Sequence, residues 1–145
     1  EAPIAMLPEP FVSVAQGKNA GVQVALGIND LWKQATGTDL ALGCVVARPD
    51  YLDEHPEAVD AFLTDLDGSI AKANDDVAAT AQLCADKGIL PNAAAAQEAI
   101  PRCGLVCLTG DDMKAPVNGF LGVLAQSNPS SVGGSVPGDD FYYRG

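Results

Sequence analysis

The chain has 145 residues, 48% of them apolar, enough for one globular domain with its own core or for most of one lobe of a larger protein. Nineteen Asp and Glu against eight Lys and Arg give a formal charge of -11, and the basic residues stand singly from Lys18 to Arg144. That balance excludes nucleic acid and anionic membrane surfaces as partners, because both are bound through clustered Lys and Arg, and no apolar run approaches the roughly 20 residues needed for direct membrane insertion.

Ile4 to Leu7 form a short apolar run stopped by Pro8 and Pro10, the pattern of a buried strand passing into a connection. "FVSVAQGKNAG" predicts a short helix ended by Gly17 and the Asn19-Ala20-Gly21 turn. "VQVAL" alternates as a strand does, and "NDLWKQATG" predicts a helix with Asn29 or Asp30 as N-cap and Gly37 as its stop. "DLALGCVVAR" is the strongest predicted strand, apolar enough for burial on both faces. Pro56 then suits the first position of a long amphipathic helix, with Glu57 at its N-terminus and Val59, Phe62, Leu63, Leu66, Ile70 and Ala73 at helical spacing.

A second helical run is expected from Asp75 to Lys87, a short one in "PNAAAAQEAI", and a last one starting at Thr109-Gly110-Asp111-Asp112. Pro116 sits awkwardly in that last helix, since an interior proline costs about 3 kcal/mol unless the helix kinks. From Asn128 the chain is rich in Gly, Ser and Pro, the composition of a tail, which Phe141, Tyr142 and Tyr143 are expected to pin to the body. The fold class expected from this order is α/β, a few strands followed by several helices. A sheet of three short strands has about half the usual complement, and Glu1 is not an initiator Met, so we expect a trimmed chain or a piece of a longer one.

Four cysteines allow three fully paired connectivities, and the sequence does not choose among them. Cys84 lies near the end of one helical run and Cys103 just past the next, with Gly88 and Pro91 marking the turn between, so a helical hairpin can bring these two together. A bridge closing a loop of about 20 residues stabilises by roughly 3 kcal/mol and implies an oxidising compartment. Cys44 and Cys107 read as small core hydrophobes. His55, directly before Pro56, reads as a helix-start residue. A Cys44 and His55 nucleophilic pair has nothing to orient it, and a zinc site would need close cysteine pairs of which only Cys103 and Cys107 are one.

"IAMLPEPFVSVA", "TDLALGCVVARPDYLDEHPEAVDAFLTDLDGSIAKAND" and "AIPRCGLVCLTGDDMKAPVNGFLGVLAQSNPSSVGG" with "DDFYY", in this order and separation, resemble the C-terminal part of the solute-binding proteins of ABC importers. The resemblance is to the periplasmic-binding-protein type 2 fold, in the branch of sulfonate, nitrate and thiamine-precursor binders. It implies one partial domain over 1–145. Residues 1–10 would be an inter-lobe crossing strand and hinge, 11–127 the returning part of lobe one, and 128–145 a C-terminal tail.

It also implies a non-catalytic protein that needs no cofactor or metal and holds a small polar or anionic solute (sulfonate, nitrate, carboxylate or pyrimidine-like) in an inter-lobe cleft. Closure would follow binding and present the protein to a membrane permease. The location would be extracytoplasmic, periplasmic or lipid-anchored through a missing N-terminus, and the other partner a missing N-terminal half or another copy of the chain. Two alternatives stay open: an enzyme on the same fold like those that make the thiamine pyrimidine, for which the cysteine-rich cluster is wanting, and a stand-alone interaction domain completed by another chain.

Pro8-Glu9-Pro10 is the sharpest candidate site. Two prolines fix the backbone direction, and Glu9 between them can present a carboxylate or an amide to a cleft; Leu7 shares the expectation because in related binders this hinge lines the cleft. Thr38 and Asp39, in the "TGTD" turn, supply a hydroxyl and amides suited to a polar or anionic solute, with an ordinary turn as the competing reading. Trp32 and Lys33 are weaker candidates.

Overall fold

The computed structural model describes residues 4–144. Of these, 62% are helical and none is in a strand, which corrects the expected α/β class. Ile4 to Leu7, "VQVAL" and "DLALGCVVAR" are irregular connections instead. The physical reason is that a strand exists only as a ladder with a neighbouring backbone, and a segment with strand composition but no partner cannot form one. Residues 1–3 of the expected 1–10 crossing segment lie outside the described residues.

The helices follow the sequence closely. They are α1 (Phe11–Lys18), α2 (Ile28–Thr36), α3 (Pro49–Glu54), α4 (Pro56–Asp75), α5 (Val77–Asp86), α6 (Ala93–Ala99) and α7 (Gly110–Ser127), with 3₁₀ turns at Ile100–Arg102, Pro129–Val132 and Asp139–Phe141. α4 begins at Pro56, as its missing N–H allows. The N-cap of α2 is Gly27 rather than Asn29 or Asp30. α7 runs through Pro116.

The chain divides into two units, one of Glu1–Val24 with Ala61–Cys107 and one of Ala25–Asp60 with Leu108–Gly145. The first is built on α5 and α6, which pack on each other, with α1 and the Ile100–Arg102 turn packed on α6. Its core is small: Ala81, Ala96 and Ile100, with Val77, Cys84, Leu90 and Ala93 against them. Asp76 and Asn92 cap α5 and α6 by accepting the amides of Ala79 and Ala95 at 3.0 and 2.8 Å.

α5 ends in a Schellman motif. Gly88 takes φ +66, its N–H reaches the Ala85 carbonyl at 3.0 Å, and the Ile89 N–H reaches the Cys84 carbonyl at 2.8 Å. The hairpin expected around Gly88 and Pro91 therefore forms. Gly88→Ala forces a side chain into left-handed backbone and is expected to destabilise this unit by about 1 kcal/mol in urea unfolding.

In the second unit, Trp32 of α2 meets Phe120 of α7 with ring centroids 5.5 Å apart. The Trp32 indole N–H donates to Thr38 Oγ1 at 3.4 Å, and a Cβ added at Gly119 would lie 3.1 Å from that oxygen, so the small residue lets α7 approach the turn. The end of the chain is pinned through Tyr142, which is buried, donates to Asn118 Oδ1 at 3.4 Å and meets Phe141 edge-on. Phe141 itself is exposed.

Lys114 holds the same segment by an ion pair to Asp139 at 2.6 Å. The hydrogen bond from Lys114, then its charge, keeps the Asp139 carboxyl below the usual range. A folded-state pKa that is depressed gives stability present above the unfolded value and lost as pH falls through the folded one. The carboxylate is exposed, so solvent screens this contribution: the near-UV circular dichroism of Tyr142 is expected to weaken only slightly as pH falls below about 4, and Asp139→Asn to leave the neutral-pH signal nearly unchanged.

Candidate functional site

A cavity of solute size lies in the first unit, between α1 and α6. It measures about 480 Å³ and is lined by Ser13, Val14, Gln16, Lys18, Pro91, Asn92, Ala94, Ala95, Glu98 and Arg102. Alanines on α6 give it a shallow apolar floor because they leave the backbone of that helix close to the surface. Its polar groups come from both walls: Gln16 and Lys18 at the C-terminal end of α1, and Glu98 with Arg102 one helical turn apart on α6 and the turn that follows.

Glu9 holds the α1 wall. Its Oε2 accepts the Ser13 N–H at 3.1 Å, and the Pro8 carbonyl accepts the N–H of Phe11 at 3.0 Å and of Val12 at 3.3 Å. These bonds satisfy amides at the start of α1, which have no partner within the helix. The other oxygen of Glu9 lies 3.6 Å from Arg102 Nη1, and Arg102 also reaches Glu98 at 3.3 Å and Gln16 Oε1 at 3.3 Å. Arg102 is thus a clamp between the two walls, joining groups from three places in the first unit. Ser13 is 5% exposed, and its Oγ is buried without a hydrogen-bond partner. Lys18 makes no ion pair or hydrogen bond among the described residues, so its ammonium is available to an anion.

Comparison with protein-family models, with curated proteins and with solved structures finds no match to this chain. The site therefore stands on its own geometry. Of the residues expected from the sequence, Glu9 and Pro8 act at the start of α1, whose far side faces α6, and Pro10 is the N-cap position of α1. Leu7 is exposed beside them.

Thr38 and Asp39 belong to the second unit. Asp39 pairs with Lys33 at 2.8 Å, and that hydrogen bond, ahead of the charge itself, raises the Lys33 pKa. Both side chains are exposed, so the pair contributes little to stability. The Thr38 hydroxyl lies 3.0 Å from that of Thr36 and accepts from Trp32, so it closes the turn after α2. His55 meets Tyr51 at a tilt, with ring centroids 4.8 Å apart, and Cys44 is exposed.

Among the described residues no three His, Cys, Asp or Glu side chains converge to hold a metal ion, and no helix is long and apolar enough to cross a membrane. All four cysteines are free thiols, so the expected Cys84 to Cys103 bridge is not formed in this structure. Gln16, Lys18, Asn92, Glu98 and Arg102 are absent from the sequence-based candidates. The signal available for two of them is the Glu98 and Arg102 spacing of four residues, with Arg102 the only arginine between Arg48 and Arg144.

Proposed function

We propose that this protein is the solute-binding component of an ABC importer, taking a small polar or anionic solute (sulfonate, nitrate, carboxylate or pyrimidine-like) and passing it to a membrane permease. The observation that carries the reading is the groove between α1 and α6. Its volume falls within the roughly 300–1,000 Å³ of small-molecule sites, and its lining includes the unpaired Lys18 ammonium, the clamped Arg102 guanidinium and the apolar Ala94 and Ala95. Glu9, which the resemblance places at the solute, contributes here by holding α1 and Arg102 in place. The loss of the expected sheet removes the architectural part of the resemblance, so the groove and the quoted sequence words are its support.

Thermal-shift measurement on the whole chain with a sulfonate, nitrate, a carboxylate and a pyrimidine tests the proposal. One of them is expected to stabilise the chain by about 2.7 kcal/mol at a hundred times its dissociation constant, and Lys18→Glu is expected to abolish the shift. No shift from any of the four at millimolar concentration, or an equal shift in the variant, would overturn it.

A second reading, an interaction domain completed by a different polypeptide, is favoured by the exposed area. Two independent globules of about half this mass each would together expose roughly 8,400 Å², whereas this chain of 14.8 kDa exposes 10279 Å². A surplus of about 1,900 Å² on one partner suits an obligate interface, which buries about 2,000–5,000 Å² in total. In the first unit Ile4 and Met6 are 87% and 83% exposed, and in the second, taken by itself, Leu42, Val45 and Val46 are exposed.

A second copy would double the charge of -11, so the partner of this reading is a different, uncharged and apolar surface. Sedimentation is expected to give a monomer that binds an apolar dye, and Leu42→Asp with Val46→Asp to reduce the dye signal without changing the melt. A dimer at micromolar concentration would replace this partner with a second copy.

A further inference from the structure

We propose that Cys84 and Cys103 are a redox-active dithiol that closes reversibly to a disulfide and thereby fixes the wall carrying Arg102. The inference does not depend on what the groove binds. Cys84 stands in the last turn of α5 and packs against the Ala81, Ala96 and Ile100 cluster. Cys103 follows the 3₁₀ turn Ile100–Arg102, and its N–H reaches the carbonyls of Ala99 and Ile100 at 3.1 Å each.

In a 3₁₀ turn, residues three apart eclipse each other. Cys103, the cap residue directly after the turn, therefore stands one turn on from Ile100, a residue of the cluster that Cys84 touches. The turn also packs directly on α5.

The electrostatics agree with this placement. Burial first, then the Glu9 carboxylate, then the Cys84 sulfur push the Cys103 thiol up, so Glu9, Cys84 and Cys103 lie within electrostatic reach of one another. The titratable groups whose charge acts on this thiol are Glu9 from the segment before α1 and Cys84 from α5, while Arg102 at the neighbouring position is paired with Glu9 and Glu98. Cys44 is exposed in the other unit. Cys107 lies in the irregular stretch after Gly104 and is the competing partner for Cys103.

Closure needs a two-electron oxidant, for which oxidised glutathione serves. One cysteine thiolate attacks a glutathione sulfur, forming a mixed disulfide and releasing one glutathione thiolate. The other cysteine thiolate then attacks the protein sulfur of that mixed disulfide and displaces the second glutathione. The two cysteines are oxidised, glutathione is reduced, and the two cysteine protons pass through solvent to the glutathione thiolates. The new bond joins the last turn of α5 to the residue after Arg102.

The test is to equilibrate the full chain in buffers of increasing oxidised-to-reduced glutathione ratio, quench with acid, and count thiols after denaturation. The count is expected to fall from four to two, with a peptide map joining the segments that hold Cys84 and Cys103 and an upward shift of the melting midpoint. Cys107→Ser is expected to keep the closure, and Cys84→Ser to lose it. Because a variant can fail by misfolding, the mapped linkage in the unmodified chain is the deciding measurement. Four thiols persisting at the most oxidising ratio, or a map joining Cys103 to Cys107, would overturn the proposal.

Discussion

Ala96→Asp is expected to unfold the unit built on α5 and α6. Ala96 is 0% exposed and sits where the two helices meet, in a cluster whose only large buried side chain is Ile100. A carboxylate there leaves water with no cation among the cluster residues to meet it, and the penalty for burying an unpaired charge is several kcal/mol even after relaxation. A unit of this size is stable by only about 0.05–0.15 kcal/mol per residue, so a loss of that order consumes most of its stability.

The control is Ala94→Asp, two residues earlier on the exposed side of the same helix. It changes the same residue type near the N-terminus of α6, where a negative charge is mildly favoured, and is expected to stay within about 0.5 kcal/mol. Helical circular dichroism against urea separates the two. Equal melts for both variants would mean that Ala96 does not carry the packing attributed to it.

The contrast also shows what the sequence could and could not reveal. Helix starts and stops are local, and so were legible: Pro56 at the first position of α4, Gly37 after α2, and the Gly88 turn between α5 and α6 each act through their own backbone geometry. Strands are not local. "DLALGCVVAR" has the composition of a buried strand, but pairing depends on a second backbone that no pattern inside the segment specifies, and in this structure Val45 and Val46 are exposed.

The site divides in the same way. Glu9 stood out because two prolines frame it, whereas its partner Arg102 lies 93 positions along the chain, beyond any periodicity. Contact of α1 with α6 is what gives Gln16, Lys18 and Arg102 a common groove, and that contact is a property of the packed unit. Asn92 reads locally as a helix cap, and only the packed unit shows that it also lines a cavity.

Glu9→Ala is expected to loosen α1 and with it the groove, by about 1–2 kcal/mol. The side chain of Glu9 is 13% exposed and does two things at once, accepting the Ser13 N–H and facing Arg102. Truncation leaves the Ser13 amide without its acceptor and returns the Arg102 guanidinium to Glu98 and Gln16 alone. Glu9→Gln separates the roles, because the amide oxygen still accepts from Ser13 while the charge opposite Arg102 is gone. Arg102 is half-exposed, so solvent screens its pair with Glu9, and the glutamine variant is expected to lose less than 1 kcal/mol of stability.

Solute binding reads the other role. With the competing carboxylate removed and α1 still capped, the guanidinium turns more of its charge towards the groove. Glu9→Gln is therefore expected to bind an anionic solute at least as tightly as the unmodified chain, while Glu9→Ala binds it more weakly because the α1 wall is no longer fixed. Titration calorimetry on both variants, beside their urea melts, checks this. Equal weakening in both would make Glu9 a direct ligand of the solute, whereas weakening in the alanine variant alone would leave it the residue that positions Arg102 and α1.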